Sequence, residues 1–96
     1  MSQRESLYAT LVRLVALLVR NDSPWGRTIA NLGSDIAKAA NPVDFQFALR
    51  SLLSVYGGMG SFSDLVIQSQ AGVGPDNDEL DRLRSALFAE ATGLIR

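Results

Sequence analysis

Between residues 7 and 19 the apolar side chains fall into two helical rows. Leu7, Leu11, Leu14 and Leu18 make one, and Tyr8, Val12, Val15 and Val19 make the other. At about 100° per residue the two rows cover roughly half the circumference of an α-helix. Ser6, Thr10, Arg13 and Arg20 form the remaining polar strip, with Leu17 near its edge. A stripe that wide needs neighbours on two sides. It implies either a central helix in a small bundle or a helix that leaves part of its stripe for a second copy or a partner.

Start and stop signals divide the rest of the chain. Ser2 and Glu5 have capping-box spacing ahead of the first helix. In Asn21-Asp22-Ser23-Pro24, Asp22 or Ser23 can cap the second helix and Pro24 suits its first position. Trp25, Ile29, Leu32, Ile36 and Ala40 then form a narrow apolar stripe, interrupted by Gly33. A glycine inside a helix costs about 1 kcal/mol relative to alanine, and close approach of another helix is one explanation for it. Asn41-Pro42 repeats the cap-then-proline device. Phe45, Ala48, Leu49, Leu52, Leu53 and Tyr56 line one face of the third helix, and Phe47 falls on the other side. Phe47 therefore either packs beneath a neighbouring loop or stands exposed as an anchor for a partner. In the last helix Asp76 and Glu79 have capping-box spacing. Leu80, Leu83, Leu87, Ala91 and Leu94 form the core stripe, widened by Phe88 and Ile95. Arg84 projects near the middle of that stripe. It either lays its stem on the core edge with its head in water, or pairs with Asp64.

These signals predict an all-α fold in one domain, 1–96. The four main helices fall near 3–20, 24–40, 42–56 and 77–95, with a short helical turn at 61–67. Short links between the first three favour antiparallel neighbours. At 96 residues with 47% apolar content the chain can form a core, though with little margin.

The sequence contains no His and no Cys, which excludes disulfides, thiol catalysis and metal ligation by those side chains. Its serines lack the usual activating base, and Lys38, the only lysine, belongs to a polar helix face. No two carboxylates are spaced to share a pocket. The acidic run 76–81 has leucine and aspartate where a calcium loop needs an oxygen ligand and a glycine. The expectation is a non-enzyme with no cofactor and no metal. Net charge is −1 and the arginines are dispersed, so neither nucleic acid nor a membrane is expected as a partner. Residues 1–20 carry three Arg and one Glu (+2), whereas 57–96 carry three Arg and six acids (−3). The apolar run at 7–19 contains Arg13 and is too short to cross a bilayer. With Arg4 beside Glu5 and no small-residue cleavage site, it does not read as a signal peptide. A cytoplasmic location is expected.

Residues 56–67 are the one stretch that helix periodicity does not explain. Gly57 or Gly58 can take the left-handed conformation that closes the third helix, and Gly60 permits a second turn. Ser61 can cap a short helix, with Asp64 in its first turn, and Phe62, Leu65 and Val66 would face the core. Met59 fills a gap or contacts a partner. The rival is a short strand over 65–67, which would have no partner strand. A phosphate loop would need a basic residue after the glycines, and here Asp64 follows.

The string Gly57-Gly58-Met59-Gly60-Ser61, two further residues, then Asp64-Leu65-Val66-Ile67 resembles the hallmark of a family of short bacterial proteins of unknown function. That family carries asparagine more often where Ser63 stands. The resemblance implies a compact, mainly helical bacterial protein and supplies no reaction, cofactor or catalytic residue.

The functional expectation is a protein-binding module, most narrowly a toxin-neutralising immunity or inhibitor protein. The candidate positions are Phe47 and Met59 as partner contacts, the corner Gly57, Gly58, Met59, Gly60, Ser61 and Asp64, and the pair Asp64 and Arg84. The rivals are a homodimerising accessory protein using the helix at 3–20 and a small-molecule-binding domain at the glycine turn.

Overall fold

The computed structural model describes residues 2–57, 62, 65 and 75–95, the side chain of Pro75 excepted. Four helices follow one another: α1 (Gln3–Arg20), α2 (Trp25–Lys38), α3 (Pro42–Ser54) and α4 (Pro75–Leu94).

The helix starts follow local chemistry. Ser2 Oγ accepts from the Glu5 N–H at 3.2 Å and Glu5 Oε2 accepts from the Ser2 N–H at 3.3 Å, closing the capping box. Asn41 accepts from the Asp44 N–H at 2.9 Å with Pro42 at the first helical position. At α2, Ser23 Oγ accepts from the Trp25 N–H at 3.2 Å while Pro24 already has helical geometry.

The α1–α2 turn is a Schellman closure. Ser23 N–H donates to Leu18 O at 2.9 Å and Asp22 N–H to Val19 O at 3.0 Å, with Asp22 in the left-handed region at φ 55°. Glycine is usual there, and aspartate is among the few other residues that tolerate it. Asp76 departs from its expected role. It lies inside the first turn of α4, and its carboxylate accepts from Arg20 at 3.1 Å and Asn21 at 3.0 Å, tying the start of α4 to the end of α1.

That tie sets α1 and α4 antiparallel. Gln46 near the start of α3 donates to Leu94 O at the end of α4 at 2.9 Å, which sets those two antiparallel as well. Arg4 of α1 shares a hollow with Ala39 and Ala40 beyond the end of α2. The result is an up-down-up-down ring: α1 packs on α2 and α4, and α3 packs on α2 and α4. Leu7, Leu14, Leu18, Ile29, Ile36, Leu49, Leu52, Leu80 and Leu87 are fully buried at its centre.

Only part of the α1 stripe is core. Leu17 and Thr10, placed by sequence on or beside the polar strip, are 2% and 8% exposed, whereas Val12 and Val19 of the second apolar row are 70% and 60% exposed. The reason is where α4 lies. Gln3 and Ser6, on the same side of α1 as Thr10, line a hollow with Ala89, Glu90 and Gly93 of α4. The Thr10 hydroxyl donates to Ser6 O at 3.0 Å, so it enters the interior without an orphaned donor.

Gly33 is not a close-approach glycine: a Cβ there would meet the nearest Leu11 side-chain atom at an ordinary 3.5 Å. Gly26 is. A Cβ on Gly26 would stand 3.1 Å from Val19 Cγ2 and 3.4 Å from the Leu18 Cβ, where the turn presses α2 onto α1.

Candidate functional site

The corner after α3 is fastened from α4. Gly57 does not adopt the left-handed conformation expected of it or Gly58, and Val55, the residue that caps the end of α3, keeps helical geometry. Gly58, Met59, Gly60, Ser61, Asp64 and Val66 lie outside the described residues. Phe62 N–H donates to Val55 O at 2.9 Å, and Leu65 N–H donates to Phe62 O at 3.3 Å. The Phe62 ring is fully buried between Trp25 (centroids 5.3 Å apart) and Tyr56 (5.5 Å, edge-on), and Tyr56 in turn meets Phe88 at 5.1 Å.

Arg84 does not lift its head to water. Its side chain is 13% exposed, and its guanidinium donates to Phe62 O at 2.7 Å and Leu65 O at 2.9 Å and pairs with Asp81. Of the expected pair with Asp64, only the Arg84 half can be described. The Tyr56 hydroxyl donates to Arg84 O at 2.7 Å. Burial pushes its pKa well above the usual tyrosine range, and the nearby Arg84 charge only partly opposes this. The polar groups that face the shallow hollow formed by Tyr56, Asp81, Arg84, Ser85 and Phe88 are thus largely engaged within the fold.

A larger open concavity lies elsewhere. Between α1 and α2 runs an apolar groove of about 580 Å³. Its α1 wall carries Tyr8, Val12, Val15, Ala16 and Val19, its α2 wall carries the small residues Ala30, Gly33 and Ala37, and buried Leu11 and Ile29 lie between them. Sequence periodicity located these valines but assigned them to a stripe without deciding which row would stay uncovered. A second apolar surface is smaller. Phe47 is 73% exposed on α3, beside exposed Val43, and it borders a hollow with Asp35, Lys38 and Asp44. Of the two readings for Phe47, exposure is the one observed.

The charges sort unevenly around these surfaces. Three ion pairs use an acid of α4: Asp76 with Arg20, Glu79 with Arg82, and Asp81 with Arg84. Of these, only the Asp76 pair draws its cation from outside the acidic last third. Arg13, Arg27 and Lys38 make no ion pair among the described residues. The Arg4 guanidinium lies 4.0 Å from the Phe45 ring centroid, over its face. Glu90 Oε1 is buried without a hydrogen-bond partner among the described residues, in the hollow shared with Gln3 and Ser6. No cluster of three or more carboxylates that could hold a metal occurs among the described residues, and no helix there is long and apolar enough to cross a membrane.

A domain of unknown function, DUF6966, matches residues 19–76, and the chain belongs to that family. The matched segment runs from the end of α1 through α2, α3 and the glycine corner to the first turn of α4. Neither a curated protein nor a solved structure matches the chain.

Proposed function

We propose that this chain is a non-enzymatic protein-binding module whose contact surface is the groove between α1 and α2. The observation that carries the reading is the pair of exposed valines, Val12 and Val19, lining one groove with the small residues Ala30, Gly33 and Ala37 of α2. Helix-sized grooves with an apolar wall are a standard way of holding a partner's helix. Isolated surface valines are ordinary, but a contiguous apolar groove marks a contact site. Exposed Phe47 adds a second anchor of the type enriched at binding hot spots. The whole sequence lacks His and Cys, which further favours binding over catalysis.

Within that class we read the chain as a bacterial, cytoplasmic immunity or inhibitor protein that neutralises a toxin. Its small size and the resemblance of its Gly57–Asp64 corner to a short bacterial family support that narrower reading.

The test is affinity capture from the native cell with mass spectrometry, comparing the wild type with a Val12→Asp, Val19→Asp double variant of unchanged helicity and melting. A protein recovered by the wild type and lost by the variant is the expected result. The same recovery from both would overturn the groove as the contact surface. The narrower reading further requires that the captured protein arrest growth when expressed alone and not when co-expressed with this chain.

The exposed α1 valines also favour a second reading, a homodimer through α1. Light scattering over a concentration range decides it, with a strict monomer ruling it out.

A further inference from the structure

We propose that the hollow between the start of α1 and the end of α4 binds a primary alkylammonium group, with the Glu90 carboxylate as its counter-charge. The site goes beyond the groove reading and lies on another side of α1. Gln3 and Ser6 line this hollow with α4, whereas Val12 and Val19 line the groove with α2.

An orphaned oxygen marks the place. Glu90 Oε1 is closed off from water and accepts no hydrogen bond among the described residues. Glu90 takes part in none of the ion pairs there. Buried polar atoms are nearly always partnered, and an ionised carboxylate withdrawn from water without a cation is strongly disfavoured. Beside it opens a hollow of about 300 Å³, lined by Gln3, Ser6, Ala89, Glu90 and Gly93. None of these is basic. The charged neighbours on α1 are engaged elsewhere: the Arg4 guanidinium lies over the Phe45 ring, and the Glu5 carboxylate accepts from the Ser2 N–H. The end of α4 brings the negative pole of its dipole, which favours a cation, while the positive pole of α1 is already answered by Glu5.

The acceptors present select the kind of cation. Besides the carboxylate, the hollow has the Ser6 hydroxyl and the Gln3 amide, whose side chains make no hydrogen bond among the described residues. Three acceptors match the three N–H donors of a primary ammonium. With Oε1 turned inward, Glu90 has one oxygen left for the hollow, which does not suit the two-oxygen fork that a guanidinium prefers. The carboxylate charge is shared by both oxygens, so a cation at the outer one also relieves the inner one. No aromatic ring lines the hollow to hold a quaternary ammonium. One carboxylate and two neutral oxygens fall short of the roughly six to eight oxygens that calcium takes. Ala89 and Gly93 leave room for the alkyl chain, and a Cβ added to Gly93 would meet no atom within 4 Å.

The test titrates isotopically labelled protein with n-butylammonium chloride at constant ionic strength and follows amide chemical shifts. Saturable shifts centred on Gln3, Ser6 and Gly93 are expected, at about millimolar affinity for so small a ligand. n-Butanol, n-butylguanidinium and calcium should each bind at least about tenfold more weakly. A second arm uses Nα-acetyl-lysine N-methylamide. Tighter binding than butylammonium assigns the site to a lysine side chain and equal binding to any alkylamine, and both uphold the ammonium chemistry. Glu90→Gln keeps the shape and removes the charge. It should weaken butylammonium at least about tenfold while the melting temperature holds or rises, because an unpartnered buried charge leaves with it. Gly93→Leu fills the hollow from the α4 side with better helix propensity, so it should block binding with the fold intact.

No saturable shift with butylammonium, equal binding of butanol, butylguanidinium or calcium, or unchanged binding in Glu90→Gln and Gly93→Leu would overturn the proposal. So would a Glu90→Gln protein that melts several degrees lower, since Glu90 would then be a carboxylate the fold itself requires. The groove reading is separable. Val12→Asp with Val19→Asp should leave the ammonium affinity unchanged, whatever it does to capture of a protein partner.

Discussion

Replacing Arg84 by methionine should unfasten the corner while keeping most of the apolar stem. In the native protein the guanidinium donates to the Phe62 and Leu65 carbonyls at 2.7 and 2.9 Å, on a side chain only 13% exposed. Hydrogen bonds from a charged donor contribute about 1.5–3 kcal/mol each, and the two carbonyls would regain water only in part. Allowing for packing of the methionine, the expected loss is about 3 kcal/mol, a large fraction of the roughly 5–15 kcal/mol that holds a domain folded.

Urea denaturation should report a lower midpoint at unchanged slope, and melting should fall by roughly 10–20 °C. The Asp81 partner provides the control. Its side chain is 68% exposed, so Asp81→Asn should cost less than about 1 kcal/mol. Arg84→Lys should fall between the two, because one ammonium cannot reproduce the planar fork. A loss under about 0.5 kcal/mol for Arg84→Met would refute the claim that these carbonyl bonds fasten the corner. Equal losses for Arg84→Met and Asp81→Asn would assign the effect to the ion pair instead.

Gly33→Ala should raise stability by roughly 0.5–1 kcal/mol through helix propensity alone, whereas Gly26→Ala should give no gain or a loss because its Cβ meets Val19 Cγ2 at 3.1 Å. Paired urea titrations of the two variants check the contrast. Phe47→Ser should change stability by less than about 0.5 kcal/mol, given 73% exposure, and a loss of several kcal/mol would place Phe47 in the core. Tyr56 sets an alkaline limit. Its folded pKa lies above the unfolded value, so the contribution from its burial is complete below pH 10.0 and is lost as pH rises beyond that, when only the unfolded tyrosine ionises. Urea midpoints at pH 8 and pH 11 should therefore fall less in Tyr56→Phe than in the wild type, and equal falls would contradict this.

Several features of the site show how far local reading reaches. The α1 and α3 caps were legible because Ser2 with Glu5 and Asn41 with Asp44 act across three residues of one segment. Asp76 had the same apparent capping signal but spends its carboxylate on Arg20 and Asn21, 56 and 55 residues away in sequence. Arg84 likewise gave no local hint that its partners would be carbonyls on another segment. The helix period marked Val12 and Val19 as apolar, but period alone cannot say which half of a wide stripe will be covered.

The all-α architecture, the helix starts and the absence of thiol and imidazole chemistry follow from the amino-acid sequence by itself, because each depends on residue type or on contacts a few positions apart. Which arc of α1 becomes core, which glycine is pressed against a neighbour, and where an apolar groove opens between α1 and α2 were decided only by tertiary structure. Those outcomes depend on where α2 and α4 lie against α1. Packing of whole helices, and not the preference of any one position, turns Thr10 and Leu17 inward and leaves Val12 and Val19 facing out.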